Sequence, residues 1–129
     1  LDILYKRADI LHGAVRAMDG RVAYVIMGQK EIAEKDITYE DIHCISTILR
    51  DCDDIELGFT MYEEEENRWR CSFRSDGKWI NINELLQAFG GGGHATAAGV
   101  RKRTNDVEKF RQEILERIVM MRKISGQDK

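Results

Sequence analysis

The chain lacks a large excess of positive charge, since its formal net charge is -3 at pH 7 over 129 residues. Proteins that bind nucleic acid through a broad surface depend on such an excess, because contacts with backbone phosphates supply much of their affinity. The composition therefore argues against a broad surface of this kind. Any recognition of phosphate must be local and built from a few placed groups.

Cysteines and long apolar segments are also scarce. Cys44, Cys52 and Cys71 form an odd set without a C-x-x-C pair, which argues against a disulfide framework and against a zinc site. The longest apolar run, Val22–Met27, is far shorter than the roughly 20 residues that cross a bilayer. Charged residues interrupt the start of the chain, unlike a signal peptide. These absences predict a reduced, cytoplasmic protein that is not embedded in a membrane.

The chain has the size of one domain, and its 43% hydrophobic and 33% charged residues are typical of globular proteins. It opens without methionine on a helical pattern, which favours a piece of a longer protein. Apolar periodicity predicts the order α-β-α-β-β-α-β-α, without an internal repeat or a linker. We therefore expect a single α/β domain over residues 1–129, with a small mixed β-sheet of about four to five strands flanked by helices.

The first half of the chain predicts two helices around a buried strand. An apolar stripe predicts a first helix that Gly20 ends, and residues 1–19 would partly belong to the connection with a preceding domain. The β-branched run Val22–Met27 is typical of a central strand, and the Thr38 hydroxyl is placed to cap a second helix. The apolar stripes of these helices are Leu4, Ala8, Leu11, Val15 and Met18, and then Ile42, Ile45, Ile48 and Leu49.

Two alternating runs in the second half, over residues 55–62 and 68–74, predict a β-hairpin with the acidic stretch Glu63–Glu66 as its solvated turn. Consecutive glutamates in a loop lack the geometry of a cation site, so a charged loop is the better interpretation. The remaining predicted elements are a short helix over Asn83–Phe89, a final strand near Ala98–Arg101, and a closing helix from about Asn105 with Glu108 at capping-box spacing.

The run Gly90–Gly93, followed by His94, is the most unusual feature of the sequence. Consecutive glycines permit positive φ angles, so their amides can converge into a nest that favours an anion. A helix that starts at His94 would add its N-terminal polarity to the same site, and the imidazole would be a donor at the rim. From these residues alone, a flexible linker or a tight turn remains an alternative.

The run has a context, however, that resembles a known family. Cys71–Gly77, Ile82–Leu85, the glycines with His94, and Ala97–Gly99 resemble the C-terminal domain of DHH phosphoesterases. That family pattern is a strand that ends in S-x-R-S, a short helix, and then G-G-G-H-x-x-A-x-G. The order of elements extends the resemblance more loosely from about residue 20 to residue 118.

The resemblance implies a binding role for particular residues. Arg74 would contact a substrate phosphate with Ser75 beside it, and Gly91, Gly92, Gly93 and His94 would grip the nucleotide. The residue pattern agrees in part, because Arg74 ends its strand on the polar face, although an arginine that pairs across the hairpin is the alternative. Arg70 shares that face. His12 and His43 match no motif and are interpreted as structural.

The resemblance also implies a division of labour. In the family, a separate N-terminal DHH domain holds two divalent metals, usually manganese, and these metals activate water at phosphorus. This chain has three histidines, never adjacent, so we expect no catalytic residue, metal ligand or cofactor in it. The expected partners are a phosphate-bearing nucleotide or a short single-stranded RNA or DNA, and the DHH domain of the same protein. A second copy of the protein, in a homodimer, is a further candidate partner. The full-length protein would be a phosphoesterase, and this chain alone would be inactive.

Two other functions remain alternatives. A related domain ends alanyl-tRNA synthetases, where it helps to hold tRNA and to assemble the enzyme. That version carries arginine after its glycines, so His94 argues against it. A non-catalytic module that senses a nucleotide, or that only supports a homodimer, is the second alternative. The presence of the Asp-His-His motif in the preceding sequence would favour the enzyme.

Overall fold

The computed structural model describes residues 1–125, with side chains to residue 122, so the last residues of the predicted 1–129 domain lie outside the described part. The described residues form five helices and six strands, and all six strands belong to one sheet. These elements are α1 (Asp2–His12), β1 (Val15–Ala17), β2 (Val22–Met27), α2 (Gln29–Glu34), α3 (Tyr39–Asp51), β3 (Leu57–Glu65), β4 (Arg68–Ser75), α4 (Ile82–Gln87), β5 (Gly92–Gly93), β6 (Ala97–Arg103) and α5 (Val107–Ser125).

The sheet has the strand order β1-β2-β3-β4-β6-β5. Strands β2 and β3 are parallel, and the other neighbouring pairs are antiparallel. The predicted mixed α/β domain is therefore confirmed, with six strands in the described residues instead of four to five. The additional strands are the short edge strands β1 and β5, whose sequences carry no clear strand pattern.

The first helix is shorter than predicted. It ends at His12, where the amide of Gly13 donates to the Ile10 carbonyl. Val15 belongs to β1, which pairs with the buried strand β2, so pairing within the sheet outweighs the helical spacing. Gly20, with φ of +81°, lies in the turn between β1 and β2 and does not end the helix. The short helix α2 was not predicted.

The predicted cap of α3 is confirmed. The Thr38 hydroxyl accepts a hydrogen bond from the Asp41 amide, and the Asp41 carboxylate accepts one from the Thr38 amide. The carboxylate, only 1% exposed, also contacts Lys6 at 2.7 Å and Arg7 at 2.8 Å, both on α1. Asp41 therefore holds α1 against α3. Ile48 was wrongly assigned to the buried face of α3, since it is 37% exposed.

The sheet has two unequal faces. Helices α4 and α5 cover the first face, where the rings of Tyr24, Phe59 and Phe73 stack at 5.0 and 4.7 Å. Helices α1 and α3 pack on the second face, where α3 lies over β3 and part of β4. The central strand β3 is buried on both sides over Leu57–Tyr62. The second face is therefore less covered where it reaches β6 and β5.

The hairpin of β3 and β4 forms as predicted, and Trp69, Cys71 and Phe73 point into the core. Strand β3 continues to Glu65, so most of the acidic stretch is strand, and the turn is confined to Glu66 and Asn67. Asp106 replaces the predicted Asn105 as the cap of α5, since its carboxylate accepts from the Lys109 amide at 3.1 Å. Within the part of the chain that the structure describes, the helices are too short or too polar to cross a membrane.

Candidate substrate-binding cleft

Arginines dominate the second face of the sheet along β4 and β6, beside α3. Paired residues of antiparallel strands place their side chains on the same face. Arg70 pairs with Arg101, Ser72 with Gly99, and Arg74 with Ala97. Arg68 and Arg103 form another pair nearer the hairpin turn. A chain with a net negative charge thus presents a local basic surface. We call it the arginine face, and it consists of Arg68, Arg70, Arg74, Arg101 and Arg103.

A cleft lies between this face and the glycine run. It has a volume of about 380 Å³, which is toward the small end of ligand pockets. Two guanidinium groups and a floor of glycine backbone give it a polar, positively charged lining. It is lined by Arg70, Gly90, Gly91, Gly92, Gly99, Val100 and Arg101.

The glycine amides do not form the predicted nest. Gly90 and Gly91 donate to the carbonyls of Gln87 and Leu86, and Gly92 pairs with Gly99 in the sheet. The Gly93 amide donates to the side-chain oxygen of Asn83 at 3.1 Å. The hypothesis of a ring of free amides is therefore wrong. The predicted helix at His94 is also wrong, because the chain turns back there into β6, so helix polarity contributes nothing.

Glycine is nevertheless required for the shape of the cleft. A Cβ at Gly91 would lie 2.6 Å from both the Gly99 carbonyl oxygen and the Val100 Cβ. Such separations are far inside van der Waals contact, so a larger residue would force the run away from β6. The small residues thus let the run lie directly against β6 and leave a shallow wall beside the arginines.

The structure separates the predicted residues Arg74 and Ser75. Arg74 is on the arginine face, where its guanidinium donates to the Phe73 carbonyl at 2.9 Å and borders a narrow second cavity. Ser75 pairs with Leu57 on the opposite, core-facing side. It is buried, and its hydroxyl accepts from the Gly77 amide in a turn. Of the two, only Arg74 is on the side of the cleft, and the substrate contacts of both stay predictions.

His94 lies at the far end of the glycine run. Its amide donates to the Ala97 carbonyl at 2.8 Å, which continues the ladder between β5 and β6 by one residue. Ala97 in turn pairs with Arg74, so His94 and Arg74 lie along the same row across the sheet. The side chain of His94 is exposed. It is accessible to a ligand, and its substrate contact also stays a prediction.

Glu64 forms ion pairs with the two arginines of the cleft. Its carboxylate oxygens lie 3.7 Å from the Arg70 guanidinium and 3.6 Å from that of Arg101. These separations exceed those of good hydrogen bonds, so the ion pairs are loose. One carboxylate that contacts both guanidinium groups shows that the pair can share a single anionic group.

Tyr62 pairs with Arg70 across β3 and β4, on the same face of the sheet. Burial raises the pKa of the Tyr62 hydroxyl above its ordinary value, and the positive charges of Arg70 and Arg101 only partly oppose that shift. The hydroxyl is therefore neutral at physiological pH. It does not compete with a bound anion for the arginines.

Sequence reasoning missed two residues of this site and gave little weight to a third. Arg101 could have been found from strand alternation, because it lies two positions after Gly99 and so shares its face. Asn83 gave no such signal, since its contact with the Gly93 amide depends on how α4 packs. Arg70 was noted only as a neighbour of Arg74, yet it lines the cleft directly.

The described residues do not offer a metal site, because no three His, Cys, Asp or Glu side chains come together in an arrangement that could hold an ion. The resemblance places the two-metal centre in a separate domain. The lining of the cleft, two guanidinium groups and glycine backbone, is chemically suited to an anion.

Comparison with known proteins identifies a relative of this chain. The bifunctional oligoribonuclease and PAP phosphatase NrnA of Mycoplasma pneumoniae is 30% identical over 101 residues, which span 77% of this chain and 30% of that protein. The chain therefore corresponds to less than a third of this relative.

Solved structures share the fold. An exopolyphosphatase-related protein from Bacteroides fragilis superposes with a TM-score of 0.75 at 21% identity, over 92% of this chain and 36% of that one. The C-Ala domain of Aquifex aeolicus alanyl-tRNA synthetase superposes with a TM-score of 0.60 at 16% identity, over 81% of this chain and 96% of that one. The same fold thus occurs in proteins of different function.

A match to a family model shows which family the chain belongs to. The model of the DHHA1 domain matches residues 19–120. This range includes the arginine face, the glycine run and most of α5. The chain belongs to the DHHA1 domain family.

Proposed function

We propose that this domain binds the phosphate of a nucleotide or a short oligonucleotide and presents it to a hydrolytic DHH domain of the same protein, which would be a phosphoesterase. The observation that carries the proposal is the convergence of Arg70 and Arg101 on one carboxylate at the edge of the glycine-lined cleft. Guanidinium groups suit phosphate because their planar N–H donors match its oxygens.

The relative supports the choice of substrate class. It is an oligoribonuclease and PAP phosphatase, and its substrates, oligoribonucleotides and the nucleoside bisphosphate PAP, both carry phosphate beside a sugar and a base. Because the matched region is only 30% of that protein, the rest of it has room for a catalytic domain. We place the two divalent metals, for which we propose manganese, in that other domain.

The cleft would contribute to hydrolysis by holding the substrate in position. Arg70 and Arg101 would hold one phosphate, while Arg74 and the exposed His94 would contact the neighbouring part of the ligand along the same face. Such contacts orient the scissile bond and restrict its motion, which lowers the barrier even though no group of this chain attacks phosphorus. The glycine run would exclude water on one side without steric obstruction.

The proposal predicts a separation of binding from hydrolysis. The intact protein with manganese should release phosphate from adenosine 3′,5′-bisphosphate or mononucleotides from a short RNA, whereas this chain alone should do neither. In the intact protein, Arg74→Ala or His94→Ala should lower kcat/KM by about ten- to a hundred-fold, the value of one charge-assisted hydrogen bond. The measurement is steady-state hydrolysis of both substrates.

Lys102→Ala is the matched control, because Lys102 is on β6 but on the opposite face, above the Phe110 ring. It removes one positive charge and should leave kcat/KM unchanged. Thermal melts of each variant separate misfolding from lost binding. Hydrolysis by the isolated chain that a chelator abolishes, or wild-type kcat/KM in both Arg74→Ala and His94→Ala, would contradict the proposal.

A further inference from the structure

Helix α3 forms a second wall along the arginine face, opposite the glycine run. Its residues Tyr39 and His43 are one turn apart and therefore on the same side of the helix. Together with Ser72 and Arg74 of β4, they line a narrow cavity. The groove above β4 and β6 is thus bordered by glycine backbone on one side and by an aromatic wall on the other.

Tyr39 is exposed but held in place. It is the first residue of α3, directly after Thr38, whose reciprocal hydrogen bonds with Asp41 fix the start of the helix. Its side chain is 62% exposed, whereas Tyr24 and Tyr62 of the same domain are buried. An exposed aromatic ring on the first turn of a capped helix, at the border of a groove, is suited to a flat ligand.

Arg70 connects this ring to the anion position. Its guanidinium carbon lies 5.7 Å from the centroid of the Tyr39 ring, within cation–π range. The same guanidinium lines the glycine cleft and lies 3.7 Å from the Glu64 carboxylate. A ligand that places an anionic group on Arg70 therefore has an aromatic surface within the length of one nucleotide.

We propose that Tyr39 is the stacking platform for the base of the bound nucleotide. The inference rests on the proposed function and narrows it, because the site then selects phosphates that carry a base over inorganic polyphosphate. Stacking on an aromatic ring is tolerant of base identity, since every base presents a π face. The Tyr39 ring contacts the base of the nucleotide, and the arginines bind its phosphate group.

The test is isothermal titration calorimetry of the intact protein, with EDTA present so that no hydrolysis occurs. Two ligands are compared, namely adenosine 3′,5′-bisphosphate and inorganic tripolyphosphate, and only the first carries a base. Tyr39→Ala should weaken binding of the bisphosphate by about 5- to 100-fold. Tyr39→Phe, which keeps the ring, should restore affinity to within about twofold of wild type. Neither variant should change the affinity for tripolyphosphate.

Tyr5→Ala is the control, because Tyr5 is a similarly exposed tyrosine on α1. It should bind the bisphosphate like the wild type. If the wild type fails to bind the bisphosphate at all, the proposed function fails and this inference fails with it. If the wild type binds but Tyr39→Ala binds equally well, or loses tripolyphosphate to the same extent, only the base platform is overturned.

Discussion

Replacing Arg70 and Arg101 together by alanine is expected to weaken binding of adenosine 3′,5′-bisphosphate by about a hundred-fold or more. Each guanidinium would lose a charge-assisted hydrogen bond worth about 1.5–3 kcal/mol, and about 1.4 kcal/mol corresponds to tenfold in affinity. The double variant also leaves the Glu64 carboxylate without its two positive neighbours, so that it repels the ligand. Titration calorimetry in EDTA measures the loss without interference from hydrolysis.

Glu64→Gln should have the opposite effect in the same experiment. Wild-type Glu64 competes with the ligand for both arginines, so its neutral analogue should tighten binding by several-fold. Glu66→Gln is the matched control, because it makes the same change of charge in the hairpin turn, where Glu66 borders a different cavity. Equal affinities for Glu64→Gln and Glu66→Gln, or a double arginine variant that binds like wild type, would place the anion elsewhere.

Asp41→Ala is expected to lower the free energy of unfolding by about 2–4 kcal/mol. Part of this is the lost hydrogen bond from the Thr38 amide, one half of the capping box, worth about 1 kcal/mol, and the rest is the loss of a buried partner for Lys6 and Arg7. Both cations are partly exposed and can regain water, which limits the loss. Asp51→Ala, at the exposed end of the same helix, is the control and should cost under about 0.5 kcal/mol.

The contribution of the Asp41 carboxylate to the free energy of unfolding should also depend on pH. Burial alone would raise the pKa of this carboxyl, but hydrogen bonds from Lys6, the Thr38 amide and Arg7 outweigh burial and hold the pKa well below its ordinary value. The folded state therefore favours the ionised form, so the contribution is complete at neutral pH and is lost as pH falls below about 4. Urea unfolding of wild type and Asp41→Ala should converge toward pH 2. A difference that stays constant from pH 7 to pH 2 would contradict this explanation.

Strong local patterns predicted the fold well. Val22–Met27, the alternation of Trp69, Cys71 and Phe73, and the Thr38 cap all describe their elements correctly, because burial and capping act over a few residues. Where local and distant interactions compete, the pattern fails. Val15 has helical spacing with Leu11, yet it pairs with Tyr24 across β1 and β2, and no local pattern reports that pairing.

The structure brings the glycine run and an arginine of β4 to one cleft, but the predicted physical basis is wrong, and substrate binding there stays a prediction. The glycine run does form one wall of the cleft, and an arginine of β4 lines the other side. Its amides, however, are used within the fold, because Leu86, Gln87 and Asn83 of the preceding segment come close enough to accept them. The sequence alone does not predict these hydrogen bonds, nor the pairing of Arg70 with Arg101, because both depend on the order and packing of the strands.

The most direct test of the arginine cleft is a ¹H–¹⁵N chemical-shift titration of this domain with adenosine 3′,5′-bisphosphate. The amides of Arg70, Gly91, Gly99 and Arg101 should shift together along one binding curve, since they border the same cleft. Shifts confined instead to the apolar cavity on the other side of α3, which Leu11, Ala14 and Ile48 help to line, would contradict the account.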